Sequence, residues 1–222
     1  MKKVLVLGMV AALATVSQAV VIDSFVNIDF DSGIVTTGNG PFKGFDAPYA
    51  PEIAGWTNYR NGAAGELNDA GVEAADVGWW LGGYGYQNAG FMSSGDAAYT
   101  MSSYTIKAGD VFDISYIAAR WGWTGTGEWT VSLFYDNPAN VFGTYVQAIN
   151  SDWMSQHIWY NSTTGIAATP ESVGGTLGIL VKSTGTGIAQ IDEIAVNVVN
   201  TIPEPATMAL LTLGGLLLRR KK

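Results

Sequence analysis

The sequence predicts an all-β domain, a two-sheet antiparallel β-sandwich, with a short apolar helix at each end of the chain. Three observations predict it. Trp, Tyr, Thr, Val and Ile recur in short alternating runs, as suits strands that bury one face. Gly, Asn, Asp and Ser clusters separate those runs, and such clusters are turn chemistry. Between the two ends no stretch sustains a 3.6-residue apolar period, so no helix is expected there.

The amino end is Met1-Lys2-Lys3 followed by an uncharged apolar run over residues 4–16. Ser17 and Ala19 then place small residues at the −3 and −1 positions of a signal-peptidase site. Residues 1–19 therefore read as a secretory signal peptide, a helix cut by signal peptidase after Ala19. Residues 20–200 form the domain. Residues 20–30 read as its first strand, with Ile22, Phe25, Ile28 and Phe30 apolar and Asn27 and Asp29 between them. Residues 31–51, rich in Gly, Pro and Thr, read as a long loop. Residues 52–59 return to the core through Ile53 and Trp56. Residues 61–76 are polar and Gly/Ala-rich, with weak preferences. Residues 77–86 carry Trp79, Trp80, Leu81, Tyr84 and Tyr86 among four glycines, and 91–96 read as a turn-rich link.

The second half alternates more plainly. Residues 97–106 alternate through Tyr99, Met101 and Tyr104, and 107–110 make a turn. Residues 111–119 form a strand whose apolar face is Phe112, Ile114, Tyr116 and Ala118. Residues 129–135 form another, ended by Asp136-Asn137-Pro138. Residues 142–149, 156–160, 177–183 and 188–199 complete a set of nine or so strands. In the last, Ile191, Glu193, Ala195 and Asn197 share one face, and Asp192, Ile194, Val196 and Val198 the other.

Charge narrows the function classes. The chain carries 11 Lys and Arg against 19 Asp and Glu. Six of the basic residues lie in the two ends, so the domain holds five basic and eighteen acidic residues, a net charge of −13. Phosphate backbones need clustered Lys and Arg, so nucleic acid is excluded as a partner. There is no cysteine, so neither disulfides nor thiolate metal sites stabilise the fold.

The carboxyl end, residues 201–222, has three parts: Pro203-Glu204-Pro205, an uncharged run over 206–218, and Arg219-Arg220-Lys221-Lys222. Thirteen helical residues reach roughly 20 Å, short of a bilayer core about 30 Å thick. The basic end belongs on the cytoplasmic side. This tail resembles the PEP-CTERM sorting domain, the recognition tail of exosortase substrates in Gram-negative bacteria. Pro203, Glu204, Pro205, Ala206, Thr207, Gly214, Gly215, Arg219 and Arg220 carry the resemblance. It implies an exported precursor, held in the inner membrane by its tail until an exosortase removes it, and then a place on the cell surface or in the extracellular matrix.

The domain has a resemblance of its own. Asn27-Ile28-Asp29-Phe30-Asp31, Ile53-Ala54-Gly55-Trp56, residues 104–116 and Ile191-Asp192-Glu193-Ile194-Ala195-Val196 line up as a jelly-roll pattern. It looks like the galactose-binding-like sandwich of many carbohydrate-binding modules. That resemblance implies a structural calcium where the first and last strands lie side by side, with Asp31 and Asp192 as its carboxylates. Carbonyls would supply the other oxygens; the alternative is that both acids are solvated.

Candidate sugar-binding residues are Trp79, Trp80, Tyr84, Trp121 and Trp123. Aromatic faces stack on sugar rings, and Trp121 and Trp123 at i, i+2 share a strand face. The alternative is that most tryptophans are core, as expected for Trp56 and Trp129. No catalytic set stands out. His157 is the single histidine, no Gly-x-Ser-x-Gly is present, and no carboxylate pair is marked for glycosidase chemistry. The expectation is a non-enzymatic surface or matrix protein associated with exopolysaccharide, with a carbohydrate-binding module as the alternative and a polysaccharide hydrolase behind it.

Overall fold

A computed structural model describes residues 19–31, 42–44, 54–59, 70–74, 88–92, 94–121, 127–149, 158–184 and 188–201. Among them are β1 (Val20–Val21), β2 (Phe42–Gly44), β3 (Trp56–Asn58), β4 (Ala70–Ala74), β5 (Asn88–Met92), β6 (Ala97–Thr105) and β7 (Asp110–Trp121). β8 (Gly127–Tyr135), β9 (Val141–Ile149), β10 (Ile158–Ala167), β11 (Thr176–Ser183) and β12 (Ile188–Asn200) follow. One sheet runs β10-β7-β12-β5-β4-β2, with β1 also paired to β12, and the other runs β3-β6-β11-β8-β9. The fold is the expected all-β, two-sheet antiparallel sandwich.

Alternation explains the core. Phe112, Ile114, Tyr116 and Ala118 of β7 are buried, as are Trp129, Val131 and Leu133 of β8 and Leu177, Ile179 and Val181 of β11. They form one cluster between the sheets. Trp129 Nε1 donates to the Gln190 carbonyl at 3.0 Å, which ties β8 of one sheet to β12 of the other. Trp56 is also core and stacks on Phe30, with ring centroids 4.9 Å apart.

Several boundaries differ from the sequence reading. Only Val20–Val21 of residues 20–30 is strand; the rest is turn and bend. Ile22, Phe25 and Phe30 are buried, but their spacing of three and five is not a strand's period of two. Asn27 and Phe30 sit at φ 55 and 58, and the Phe30 amide donates to the Asn27 carbonyl at 3.2 Å. Residues 91 and 92 are not a link but the end of β5. Gly90, within β5, admits the Phe30 ring, which a Cβ at that position would strike. β2 and β4 lie in stretches with no alternating signal. β12 keeps no uniform alternation, because its register with β7 shifts between Asp192 and Ala195. Ile191 therefore joins Ile194, Val196 and Val198 in the core. The expected end helices fall on residues 1–18 and 202–222, outside the described residues. Among the described residues no helix is long and apolar enough to cross a membrane.

Register sends the connections to two poles. One pole holds the turns at 106–109, 136–140 and 168–175 together with Val20 and Thr201. The other holds the turn at 94–95, the end of β7 at Trp121 and the start of β12. At the first pole the buried Asp110 carboxylate is a hub. Its Oδ2 accepts from the Tyr104 hydroxyl (2.8 Å) and the Lys107 amide (2.7 Å), and its Oδ1 from Asn200 Nδ2 (2.8 Å). The Thr201 amide and hydroxyl both donate to the Gly109 carbonyl at 2.9 Å.

Trp129→Phe keeps the ring in the core but leaves the Gln190 carbonyl without the indole N–H. It should lower stability by about 1–3 kcal/mol, read as a lower guanidinium midpoint at unchanged slope. An unchanged midpoint would remove the cross-layer role of this bond.

Candidate functional site

The first buried segment and the last strand meet around Asp192. Asp192 is 2 % exposed, and its Oδ1 accepts the Glu193 amide at 2.7 Å. Glu193 has φ 51 inside the β12 bulge, a conformation side chains seldom adopt. The same is true of Asn27 and Phe30 on the facing segment. Left-handed non-glycine residues persist where their surroundings over-determine them. Here the Asn27 carbonyl accepts Trp56 Nε1 at 2.8 Å, and Phe30 is held between Trp56 and Gly90.

Charge accumulates at this junction. Burial, foremost, raises the Asp192 pKa to about 8; the Glu193 amide opposes the shift, while the charges of Glu193, Asp31 and Asp29 add to it. Burial and then the Asp29 charge raise the Asp31 pKa, and hydrogen bonds from the Asn88 backbone and side chain oppose that rise. A buried carboxyl beside like charges favours a proton or a cation. The donors are hard oxygens, which fit calcium. Among the described residues no three His, Cys, Asp or Glu are grouped to hold a metal ion. Asp31 and Asp192 would thus supply two carboxylates, and carbonyls the remainder.

Asp31 lies near enough for its charge to act on Asp192. Asp192 is buried, whereas Asp31 is exposed. Asp29, Asn88 and Glu193 belong to the same site and were not singled out from sequence. Asp29 and Glu193 lay within the two quoted runs; Asn88 carried no signal short of the strand register. Trp121 closes β7 opposite Ile188, at the pole away from Thr201. Trp79, Trp80, Tyr84, Trp123 and His157 lie outside the described residues, as do Pro203, Glu204, Pro205, Arg219 and Arg220. Elsewhere the Tyr116 hydroxyl is buried with no hydrogen-bond partner, and its pKa is raised, first by burial and then by Tyr145.

Residues 201–222 match the PEP-CTERM protein-sorting motif. The motif is a signal for exosortase processing, and it marks an exported protein with a C-terminal membrane-anchoring tail. No curated protein matches the sequence. Among solved structures, the domain is similar to a Stig cyclase from Fischerella sp. TAU, solved in complex with (3Z)-3-(1-methyl-2-pyrrolidinylidene)-3H-indole. The identity is 18 %, the TM-score 0.61, and the match covers 83 % of this chain and 100 % of that one. It is also similar, with a TM-score of 0.47 and 14 % identity over 79 % of this chain and 99 % of that one, to a CBM4 structure. A xylan-binding CBM22-1 domain from Paenibacillus barcinonensis matches at 12 % identity and TM-score 0.42, over 67 % of this chain and 88 % of that one. At 18 % identity the cyclase likeness marks a shared fold and nothing finer.

The raised Asp192 pKa makes a pH prediction. The folded value, about 8, lies above the ordinary 3.8, so folding favours the protonated acid. In chelator, the stabilisation contributed by protonated Asp192 should be fully present below about pH 4 and be lost as pH rises toward 8. Asp192→Asn should flatten that part of a Tm-against-pH curve. A variant that keeps the wild-type slope would place the titration elsewhere.

Proposed function

We propose that this chain is a non-enzymatic protein of the cell surface or extracellular matrix, released by an exosortase and associated with exopolysaccharide. The sorting tail carries the reading, since a cleavable address matters only for a protein whose work is outside. The domain's charge of −13 suits an extracellular partner of neutral or cation-bridged polysaccharide. Calcium held by Asp31 and Asp192 would neutralise the buried Asp192 carboxylate and fasten the 27–31 segment to β12.

A carbohydrate-binding module is the second reading. One observation favours it: Trp121 ends β7 at the pole opposite Thr201, so an aromatic surface there would face away from the anchoring membrane. Trp123 follows two residues later.

Three outcomes are expected. Deleting the exosortase, or Pro203-Glu204-Pro205, should leave the tail on the protein and change its mass and location; unchanged mass and location would end the sorting reading. At pH 8 calcium should raise the Tm of the wild type and leave that of Asp192→Asn unmoved, and equal responses would end the calcium assignment. If the released protein is retained by a polysaccharide matrix, Trp121→Ala or Trp123→Ala should weaken retention by about 0.5–1.5 kcal/mol, roughly twofold to tenfold. Full retention by both variants would move the site elsewhere.

A further inference from the structure

The pole that releases the tail also gathers exposed apolar side chains. Among the described residues five large hydrophobic side chains are exposed: Val20, Val21, Val26, Val141 and Val173. Four stand at this pole. Val20 and Val21 pair with Val198 and Asn197 near the end of β12. Val141 opens β9 opposite Phe134. Val173 lies in the turn whose Gly174 amide donates to the Ile106 carbonyl at 2.9 Å. Single exposed valines scattered over a surface need no explanation. These four stand at the end from which the tail leaves, where an anchored chain can bring them to a membrane.

The tail says what lies there. Thr201 is fastened to the 107–110 turn by two bonds to Gly109. Only Ile202, Pro203, Glu204 and Pro205 separate it from Ala206, where the uncharged run begins. Fully extended, that stretch reaches at most about 18 Å. β12 has 13 residues and by itself spans about 43 Å. With the tail in the bilayer, this pole faces lipid and the opposite pole cannot reach it.

Lys107 is exposed at this pole, and so are Asp136 and Glu171. Asp136 Oδ1 is engaged by the Thr176 amide at 2.8 Å, and Asp110 is buried in its network. Lys107 is the cation this pole offers to headgroup phosphates, and the acids beside it keep the electrostatic part of the contact weak.

We propose that Val20, Val21, Val141 and Val173, with Lys107 beside them, form a lipid-docking surface that seats the anchored precursor on the bilayer. The valines enter the boundary between headgroups and acyl chains, and Lys107 meets headgroup phosphates. The inference rests on the anchored-tail reading and adds a contact made by the folded domain itself.

The chain has no cysteine, so one introduced thiol carries one nitroxide label. Val173→Cys and Ser94→Cys place it at the two poles. The full chain, tail intact, is reconstituted without exosortase into vesicles of phosphatidylethanolamine and phosphatidylglycerol. Collisions with a water-soluble nickel complex should be severalfold fewer at 173 than at 94, and collisions with oxygen more frequent. Glu171→Cys repeats the reading if Val173→Cys fails to fold. Inserting about twenty Gly/Ser residues after Thr201, roughly 25 Å of slack, should leave position 173 protected; adding Val20→Asp and Val141→Asp should expose it. A chain that floats with the vesicles while 173 is as open to nickel as 94 overturns the docking surface and leaves the anchor standing. A chain that does not float overturns both. Protection that appears only with exosortase present assigns the pole to the enzyme and overturns the lipid assignment.

Discussion

The sandwich depends on its last strand lying in the middle of a sheet. β12 pairs with β7 along almost its whole length, with β5 near its start and with β1 near its end. It contributes Ile191, Ile194, Val196 and Val198 to the core and the Gln190 carbonyl to Trp129. It also carries the buried Asp192 within reach of the charges of Asp29 and Asp31. Without β12, β7 and β5 each lose a partner and become edge strands, and β1 has nothing to pair with. No disulfide can hold the partial sheet in the meantime. The fold therefore closes by pairings remote in sequence, a topology with high loop-closure entropy. Having the strand that completes the core immediately ahead of the sorting tail couples the two: the address follows directly upon the last piece of the fold.

How much of this was legible in the sequence depended on whether alternation decided burial. It did in β7, β8 and β11, where Phe112, Ile114, Tyr116, Trp129, Val131, Leu133, Ile179 and Val181 are core as their spacing says. It did not in β2, β4 and β5, whose short Gly- and Ala-rich sequences become strand because neighbouring strands offer backbone partners. Nor did it in residues 22–30, where Ile22, Phe25 and Phe30 reach the core from turns. Two left-handed residues, Asn27 and Phe30, turn the chain there, and neither is a glycine that could have announced the bend.

At the candidate site the same limit applies in reverse. Asp31 and Asp192 were paired through a resemblance to other sandwiches, and in the fold the charge of Asp31 reaches Asp192. What makes the site chemically unusual comes from the bulge at Glu193, which a run of plausible strand residues does not reveal. The bulge re-aims one carboxyl into an enclosed position and leaves its amide as that carboxyl's hydrogen-bond donor. Asn88 enters only because β5 pairs with β12 near Gly90. Candidate aromatics were visible by type alone, and residue type does not decide between core and surface for tryptophan; Trp56 and Trp129 turned inward because strand register put them there.

The Asp110 hub fixes the end of β12. Three donors converge on that carboxylate, one of them the side-chain amide of Asn200. Thr201 adds its own bonds to Gly109. In sequence the sorting motif begins at Thr201, with Pro203-Glu204-Pro205 two residues on. A cut anywhere beyond Thr201 leaves these bonds in place, so the network that holds the last strand does not depend on the tail being kept. One buried carboxylate and the turn it organises thus secure the end of β12 next to the processing signal.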